Sequence, residues 1–194
     1  MTGGEAKSGA REPARDRILR TATDLFYTYG IRGVGIDRII AESGVAKATL
    51  YAHFRSKDEL VLAYLRRADA KWRRMLRDAA AAAGDDPRDQ LVGMFDAIGG
   101  DGGFRGCAFI NSASESLPGT PVRAATVEHK RLVREWVREL AAKAGAADPA
   151  LLARQLTVLL DGAMSAASIE PVPDVVPAAR TSARALVAQS CGGR

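Results

Sequence analysis

Apolar residues recur at helical spacing along most of this 194-residue chain. Such a repeat, of about 3.6 residues, is typical of amphipathic helices, and glycine and proline mark where helices end or begin. Abundant alanine and leucine, few aromatic residues and short β-branched runs also favour an all-α fold. The pattern predicts nine helices, near residues 13–29, 36–43, 47–53, 57–83, 87–98, 106–117, 121–144, 149–169 and 175–190.

The second and third predicted helices are short and closely linked. Ile36, Ile39 and Ile40 mark the first of the two, which ends at Gly44, and the next begins at Lys47. Glycine in such a link takes a positive φ without a Cβ clash. Two short helices joined in this way form a helix-turn-helix, whose second helix can enter the DNA major groove. An ordinary corner in a helical protein would show the same pattern.

The sequence around this pair is more specific than the pair itself. An amphipathic helix precedes it, and Ser56 to Glu59 has the form of a capping box that starts the next helix. Here the chain resembles the TetR/AcrR family of bacterial transcriptional regulators over about residues 13–70. The matching positions are Ile18, Leu19, Ala22, Leu25, Phe26, Gly30, Ile39, Gly44, Val45, Lys47, Thr49, Leu50, Tyr51, His53, Phe54, Ser56, Lys57 and Leu60.

The resemblance implies two domains and a function. Residues 13–60 would form a three-helix DNA-binding domain, and residues 61–194 a helical ligand-binding and dimerisation domain. Residues 1–12 are small and polar, and are predicted to be a disordered tail. The expected function is a repressor that leaves a palindromic DNA operator when a small molecule binds. No catalytic residue, cofactor or metal is expected, because no metal-ligand spacing such as HExxH occurs.

The third predicted helix carries the expected base contacts at its N-terminal end, where side chains meet base edges in this docking geometry. Lys47 can donate to guanine or to a phosphate. The methyl group of Thr49 can contact a thymine methyl, and Ala48 is small enough to allow close approach.

Other DNA contacts follow from the resemblance. Tyr51, His53 and Lys57 would bind phosphates, while Ile36 and Arg38 would flank the groove. A packing role for Tyr51 and a surface role without DNA contact for His53 are the alternatives.

The charge distribution agrees with a DNA-binding N-terminal part. Residues 1–73 carry 14 Lys/Arg and 9 Asp/Glu, and residues 74–194 carry 14 of each. The net charge of +5 is therefore predicted to lie with the helix-turn-helix, as phosphate binding requires. An excess of this size would also suit a solvated surface.

A ligand cavity in the second domain is a further implication of the resemblance. Cys107, Asn111 and Glu115 are spaced by four and would share one helix face. Core packing, loop capping or solvent exposure are the alternatives for these residues. The predicted cavity lining is Phe95, Cys107, Phe109, Asn111, Glu115, Trp136 and Met164.

Two other functions stay open at this point. One is a related regulator that senses redox state through Cys107, although an isolated cysteine on a helix is usually an inert small apolar residue. The other is a helical interaction module that does not bind DNA.

The eighth predicted helix is apolar nearly all round, so it is expected to be covered on two sides. With the ninth it resembles the helix pair through which the family forms homodimers, and a two-fold dimer would match a palindromic operator. Two cysteines without a CxxC motif suit a reducing cytoplasm. No apolar run reaches the ~20 residues of a membrane span, so a cytoplasmic protein without a membrane partner is expected.

Overall fold

The computed structural model describes residues 12–99, 103–170 and 173–192, and within these ranges the protein contains helices and no strand. The all-α prediction is confirmed. The helices are α1 (Ala14–Tyr29), α2 (Ile36–Ser43), α3 (Lys47–His53), α4 (Lys57–Ala82), α5 (Pro87–Gly93), α6 (Ala108–Ser114), α7 (Pro121–Lys143), α8 (Pro149–Ile169) and α9 (Val175–Cys191), with a short 3-10 helix at Met94–Ala97.

The chain divides into two compact units, and the boundary falls between Tyr64 and Leu65, inside α4. The predicted disordered tail at residues 1–12 lies outside the described residues except for Glu12. The Glu12 carboxylate pairs with Arg20 on α1, with 3.0 Å between Oε2 and Nη2. Glu12 is therefore part of the first unit rather than of a tail.

In the first unit, α1 packs against α2 and α3. Its core is formed by fully or almost fully buried apolar side chains, including Ile18, Ala22, Phe26, Ile39, Leu50 and Phe54. The link between α2 and α3 turns at Gly44, whose φ is 64° and whose N–H donates to the Ile40 carbonyl at 3.1 Å. This left-handed conformation favours glycine, because a side chain would be strained there.

The start of α4 has the predicted capping box with one difference. The Glu59 N–H donates to Ser56 Oγ at 3.1 Å, as expected. The Glu59 carboxylate, however, accepts from the N–H of Arg55 at 2.8 Å rather than from that of Ser56. Both bonds fix the path of the chain between α3 and α4.

The second unit is built around α7, which packs against α5, α6 and α8, while α9 packs against α8 and α5. The predicted fifth helix ends early at Gly93 and continues as the 3-10 helix. Gly93 lies so close to the end of α4 that an added Cβ would come within 2.4 Å of the Cβ of Ala83, the residue after the helix, and within 3.2 Å of the Ala79 carbonyl oxygen. The predicted sixth helix is also shorter, because Gly106 has a φ of 80° and Cys107 is extended. In the described part of the chain, no helix is long and apolar enough to cross a membrane.

Candidate nucleic-acid interface

Helix α3 has one buried and one exposed side. Leu50 is fully buried, and Phe54, directly after the helix, is almost so. These two side chains fix the rotation of α3 against the core of the first unit. The opposite side is open to solvent and carries the predicted contact residues Lys47, Ala48, Tyr51 and His53, with Thr49 half-buried beside them.

Lys47 has a partner that the sequence analysis missed. Its Nζ lies 3.6 Å from Asp37 Oδ1, which belongs to the first turn of α2. The two side chains are 67% and 89% exposed, respectively. Because a carboxylate repels phosphate, an acidic residue gives no signal in a search for DNA-binding positions. The exposed surface of the helix-turn-helix therefore includes a carboxylate beside the lysine that begins α3.

Arg38 is held by the protein itself. Its Nε donates to Glu42 Oε1 at 2.7 Å, and its guanidinium carbon lies 4.1 Å from the centre of the Tyr29 ring. The hydrogen bond to Glu42, followed by one to Tyr29, raises the pKa of Arg38 above its ordinary value. A phosphate that approaches Arg38 would compete with Glu42. The predicted contact of Arg38 beside the groove therefore requires this hydrogen bond to break. Ile36, the other predicted flanking residue, is half-buried at the first position of α2.

Lys57 is the first residue of α4 and is half-buried. Helix N-termini carry partial positive charge and unpaired N–H groups, and both favour an anion. A lysine at this position adds a full charge to that site. Asp58 and Glu59 in the same turn place two carboxylates beside it, and the phosphate contact of Lys57 stays a prediction.

The comparisons with known proteins point in the same direction. Residues 18–64 match the family model described as "Bacterial regulatory proteins, tetR family". The crystal structure of SCO4454, a TetR-family transcriptional regulator from Streptomyces coelicolor, is similar over 92% of this chain and 96% of its own, with a TM-score of 0.84 and 38% identity. The chain belongs to the TetR family of transcriptional regulators. Its function is therefore DNA-binding regulation of transcription rather than catalysis.

Curated TetR relatives match over shorter stretches. The HTH-type transcriptional regulator LmrA from Bacillus subtilis is 31% identical over 110 residues, which are 56% of this chain and 53% of LmrA. The HTH-type transcriptional activator FasR from Mycolicibacterium smegmatis is 42% identical over 57 residues, 29% of this chain and 26% of FasR. The chain thus spans about half of the first relative and about a quarter of the second.

The prediction that all the excess positive charge lies with the helix-turn-helix is wrong, because more than half of it belongs to the second unit. Residues 1–64, the first unit, carry 10 Lys/Arg and 8 Asp/Glu, while residues 65–194 carry 18 and 15. The boundary lies inside α4, so a division at residue 73 assigned the basic middle of that helix to the DNA-binding part. Five exposed cations of α4 belong to the second unit: Arg66, Arg67, Lys71, Arg74 and Arg77.

The predicted ligand-binding residues of this TetR-family chain lie in different environments. Phe95, Phe109 and Met164 are buried in the second unit. Trp136 is half-buried and lines a shallow groove with Arg73 and other residues of α4 and α7. These four residues stay predictions as ligand contacts.

The three residues of the predicted polar face on α6 do not share one environment. Cys107 is buried and precedes the helix, whereas Asn111 is exposed and donates from Nδ2 to the Arg105 carbonyl at 2.8 Å. Glu115 is half-buried and follows the last residue of the helix. Because α6 has only seven residues, its flanking positions turn away from a continuous face. Redox sensing through Cys107 stays a prediction.

A partly buried cluster of polar and charged side chains in the second unit was not predicted. His129 on α7 is almost fully buried, and its Nδ1 lies 2.7 Å from Asp69 Oδ1 on α4. Its ring stacks on Phe109 of α6, with 3.6 Å between centroids and 2° between planes. Beside it, Lys130 forms an ion pair with Asp161 of α8. Polar contacts of the cluster connect α4, α7 and α8 within the second unit, and the ring stacking adds α6.

The pKa of His129 gives a prediction for stability. Burial lowers this pKa below its ordinary value, and the Asp69 carboxylate only partly offsets the effect. Between the lowered pKa of folded His129 and the unfolded value of about 6.5, the unfolded chain therefore binds more protons than the folded one. In this window the free energy of unfolding falls as the pH falls, by at most about 1.4 kcal/mol per pH unit for one proton. In His129→Gln the part of the pH dependence that comes from His129 is expected to disappear. Urea unfolding across pH checks it, and parallel curves for the two proteins would refute it.

Proposed function

We propose that this regulator binds a palindromic operator as a homodimer, represses transcription there, and leaves the DNA when a small molecule binds. In this proposal residues 13–60 form the DNA-binding domain and residues 61–194 the regulatory and dimerisation domain. The observation that carries it is the exposed side of α3, where polar and small side chains face solvent and the apolar ones are buried. This surface supports the proposal, because repression requires occupancy of the operator and α3 would provide the contacts to it.

The proposed contacts divide by chemistry. Lys47 and Thr49 would read base edges from the N-terminal turn of α3, with Ala48 allowing close approach. Tyr51 and His53, exposed further along the helix, would donate to phosphates together with Lys57. Ile36 and Arg38 would lie along the edge of the groove, and Arg38 would exchange Glu42 for a phosphate.

The proposed dimer interface lies on α8. Exposed apolar side chains at Leu151, Val158 and Ile169 fall on one face of this helix, and Gly162 lies on the same face. An added Cβ at Gly162 would meet nothing within 4 Å, so this position is open to a neighbouring helix. Exposed apolar side chains that recur on one helix face support an interaction site there. In the proposed dimer, α8 and α9 of a second copy would cover this face. The two DNA-binding domains would then be related by a two-fold axis.

The proposed ligand is a small, mostly apolar molecule with at least one polar group, bound within the second unit. Its effect requires different affinities for the DNA-competent and DNA-incompetent conformations. A preference of ~100-fold shifts that equilibrium by about 2.7 kcal/mol, enough to empty a moderately occupied operator.

Two lysines on the same helix provide a matched test of the DNA contact. Lys57→Ala is expected to weaken the selected operator and random duplex by the same factor, and to reduce the slope of log K against log salt by about one unit. Lys71→Ala removes an exposed lysine from the same helix within the second unit, and should change neither quantity. Equal losses in both variants would mean that the lysine contributes only through overall charge, and no loss in either would refute the contact.

A further inference from the structure

The carboxylate of Asp37 is the unexplained feature of the exposed helix-turn-helix surface. It lies 3.6 Å from the ammonium group of Lys47, beyond hydrogen-bond distance, and both side chains are largely in solvent. An exposed ion pair of this kind contributes little to stability. Asp37 also occupies the first turn of α2, where an acidic residue interacts favourably with the helix dipole. That interaction needs only an acidic residue somewhere in the turn, and does not account for its position beside Lys47.

The position of Asp37 is costly for a protein that binds DNA unless the carboxylate meets a donor. Phosphates repel it, and in the major groove guanine N7 and O6 and thymine O4 are acceptors like itself. Adenine has a donor at N6, but its acceptor N7 lies directly beside that donor and repels a carboxylate. The amino group of cytosine N4 is a donor, and Asp and Glu are the side chains that accept from it. The neighbouring Lys47 ammonium has the opposite requirement, which the acceptors of guanine fulfil. A carboxylate beside an ammonium therefore matches a G·C pair, in which cytosine offers a donor and guanine offers acceptors in the major groove.

We propose that Asp37 is a base-reading residue that selects cytosine at one position of each half-site, while Lys47 contacts a guanine of the same or the adjacent base pair. The inference rests on the proposed function, because it assumes that the exposed side of α3 enters the major groove. It adds a residue from α2 to the reading surface. It also makes Asp37 a determinant of sequence preference rather than of affinity.

Selection from a randomised duplex library tests this inference with the intact protein. The wild type is expected to prefer cytosine at one half-site position by at least about fivefold. Asp37→Asn should move that preference to adenine, because an amide pairs with adenine N6 and N7, and should leave the other positions unchanged. Asp37→Ala should abolish the preference at that position alone. The matched control is Asp24→Asn, which removes an exposed carboxylate from α1 and should leave every preference as in the wild type.

The outcomes separate the alternatives. If both Asp37 variants bind all sequences more tightly by the same factor, the carboxylate acts only through phosphate repulsion and the inference is wrong. If they lower thermal stability with unchanged preferences, Asp37 serves the helix dipole and the inference is again wrong. A wild type without any sequence preference contradicts the proposed function itself, whereas a wild-type preference that the Asp37 variants retain overturns only the role of Asp37.

Discussion

Val158→Arg is expected to give a folded monomer that no longer holds its operator. Val158 is 67% exposed at the centre of the apolar face of α8, and in the proposed dimer an arginine there would be buried against its own symmetry mate. The monomer has one DNA-binding domain. It therefore loses the contribution of a second domain that binds the same operator within one molecule. The expected loss of operator affinity is about 10²- to 10⁴-fold. Sedimentation measures the oligomeric state, and titration of the operator duplex measures the affinity.

Val127→Arg is the matched control for this result. Val127 on α7 is 63% exposed, so the same substitution introduces the same charge at a similar exposure outside the apolar face of α8. It is expected to leave both the dimer and the operator affinity unchanged. A Val158→Arg protein that stays dimeric, or a Val127→Arg protein that dissociates, would place the interface elsewhere.

Phe95→Ala is expected to destabilise the second unit by about 3–5 kcal/mol. Phe95 is fully buried in the 3-10 helix after α5, next to the equally buried Met94 and near Leu91. A phenyl ring enclosed in this way leaves a cavity when it is removed. A ring that lined an existing ligand cavity would only enlarge that cavity, at a smaller cost. Urea unfolding, with the slope m compared between variants, measures the loss.

Leu117→Ala provides the comparison for the Phe95 variant. Leu117 is one of the exposed large apolar residues, between α6 and α7, and its truncation should change the free energy of unfolding by no more than about 0.5 kcal/mol. A loss below about 1 kcal/mol for Phe95→Ala would support a ligand-lining role in place of a core role.

The helix boundaries were predictable where local chemistry decides them. Asp86 and Asp148 cap α5 and α8 through hydrogen bonds to backbone N–H groups, and each is followed by a proline at the first helical position. Gly44 takes the left-handed conformation that ends α2. These signals act over three or four residues, so the sequence shows them directly. The fifth helix ends early at Gly93, and the close approach of Gly93 to Ala79 and Ala83 is a tertiary contact that no local pattern contains.

The candidate site was predictable only in part for the same reason. The exposed side of α3 follows from the helical period, because Leu50 and Phe54 fix which side is buried. The pairing of Asp37 with Lys47 depends on how two helices cross, and the contact between Asp69 and His129 joins residues 60 positions apart. Such contacts arise from tertiary packing.

The most direct test of the account is the affinity of the intact protein for its best library-selected duplex, compared with random duplex over a range of salt concentrations. If the exposed side of α3 reads base edges, the selected sequence is expected to bind at least ~10³-fold more tightly at physiological salt. The log of both binding constants should fall linearly with the log of the salt concentration, because phosphate contacts release counterions. Equal affinity for the two duplexes, or binding that does not respond to salt, would contradict the assignment of α3 as the DNA-reading helix.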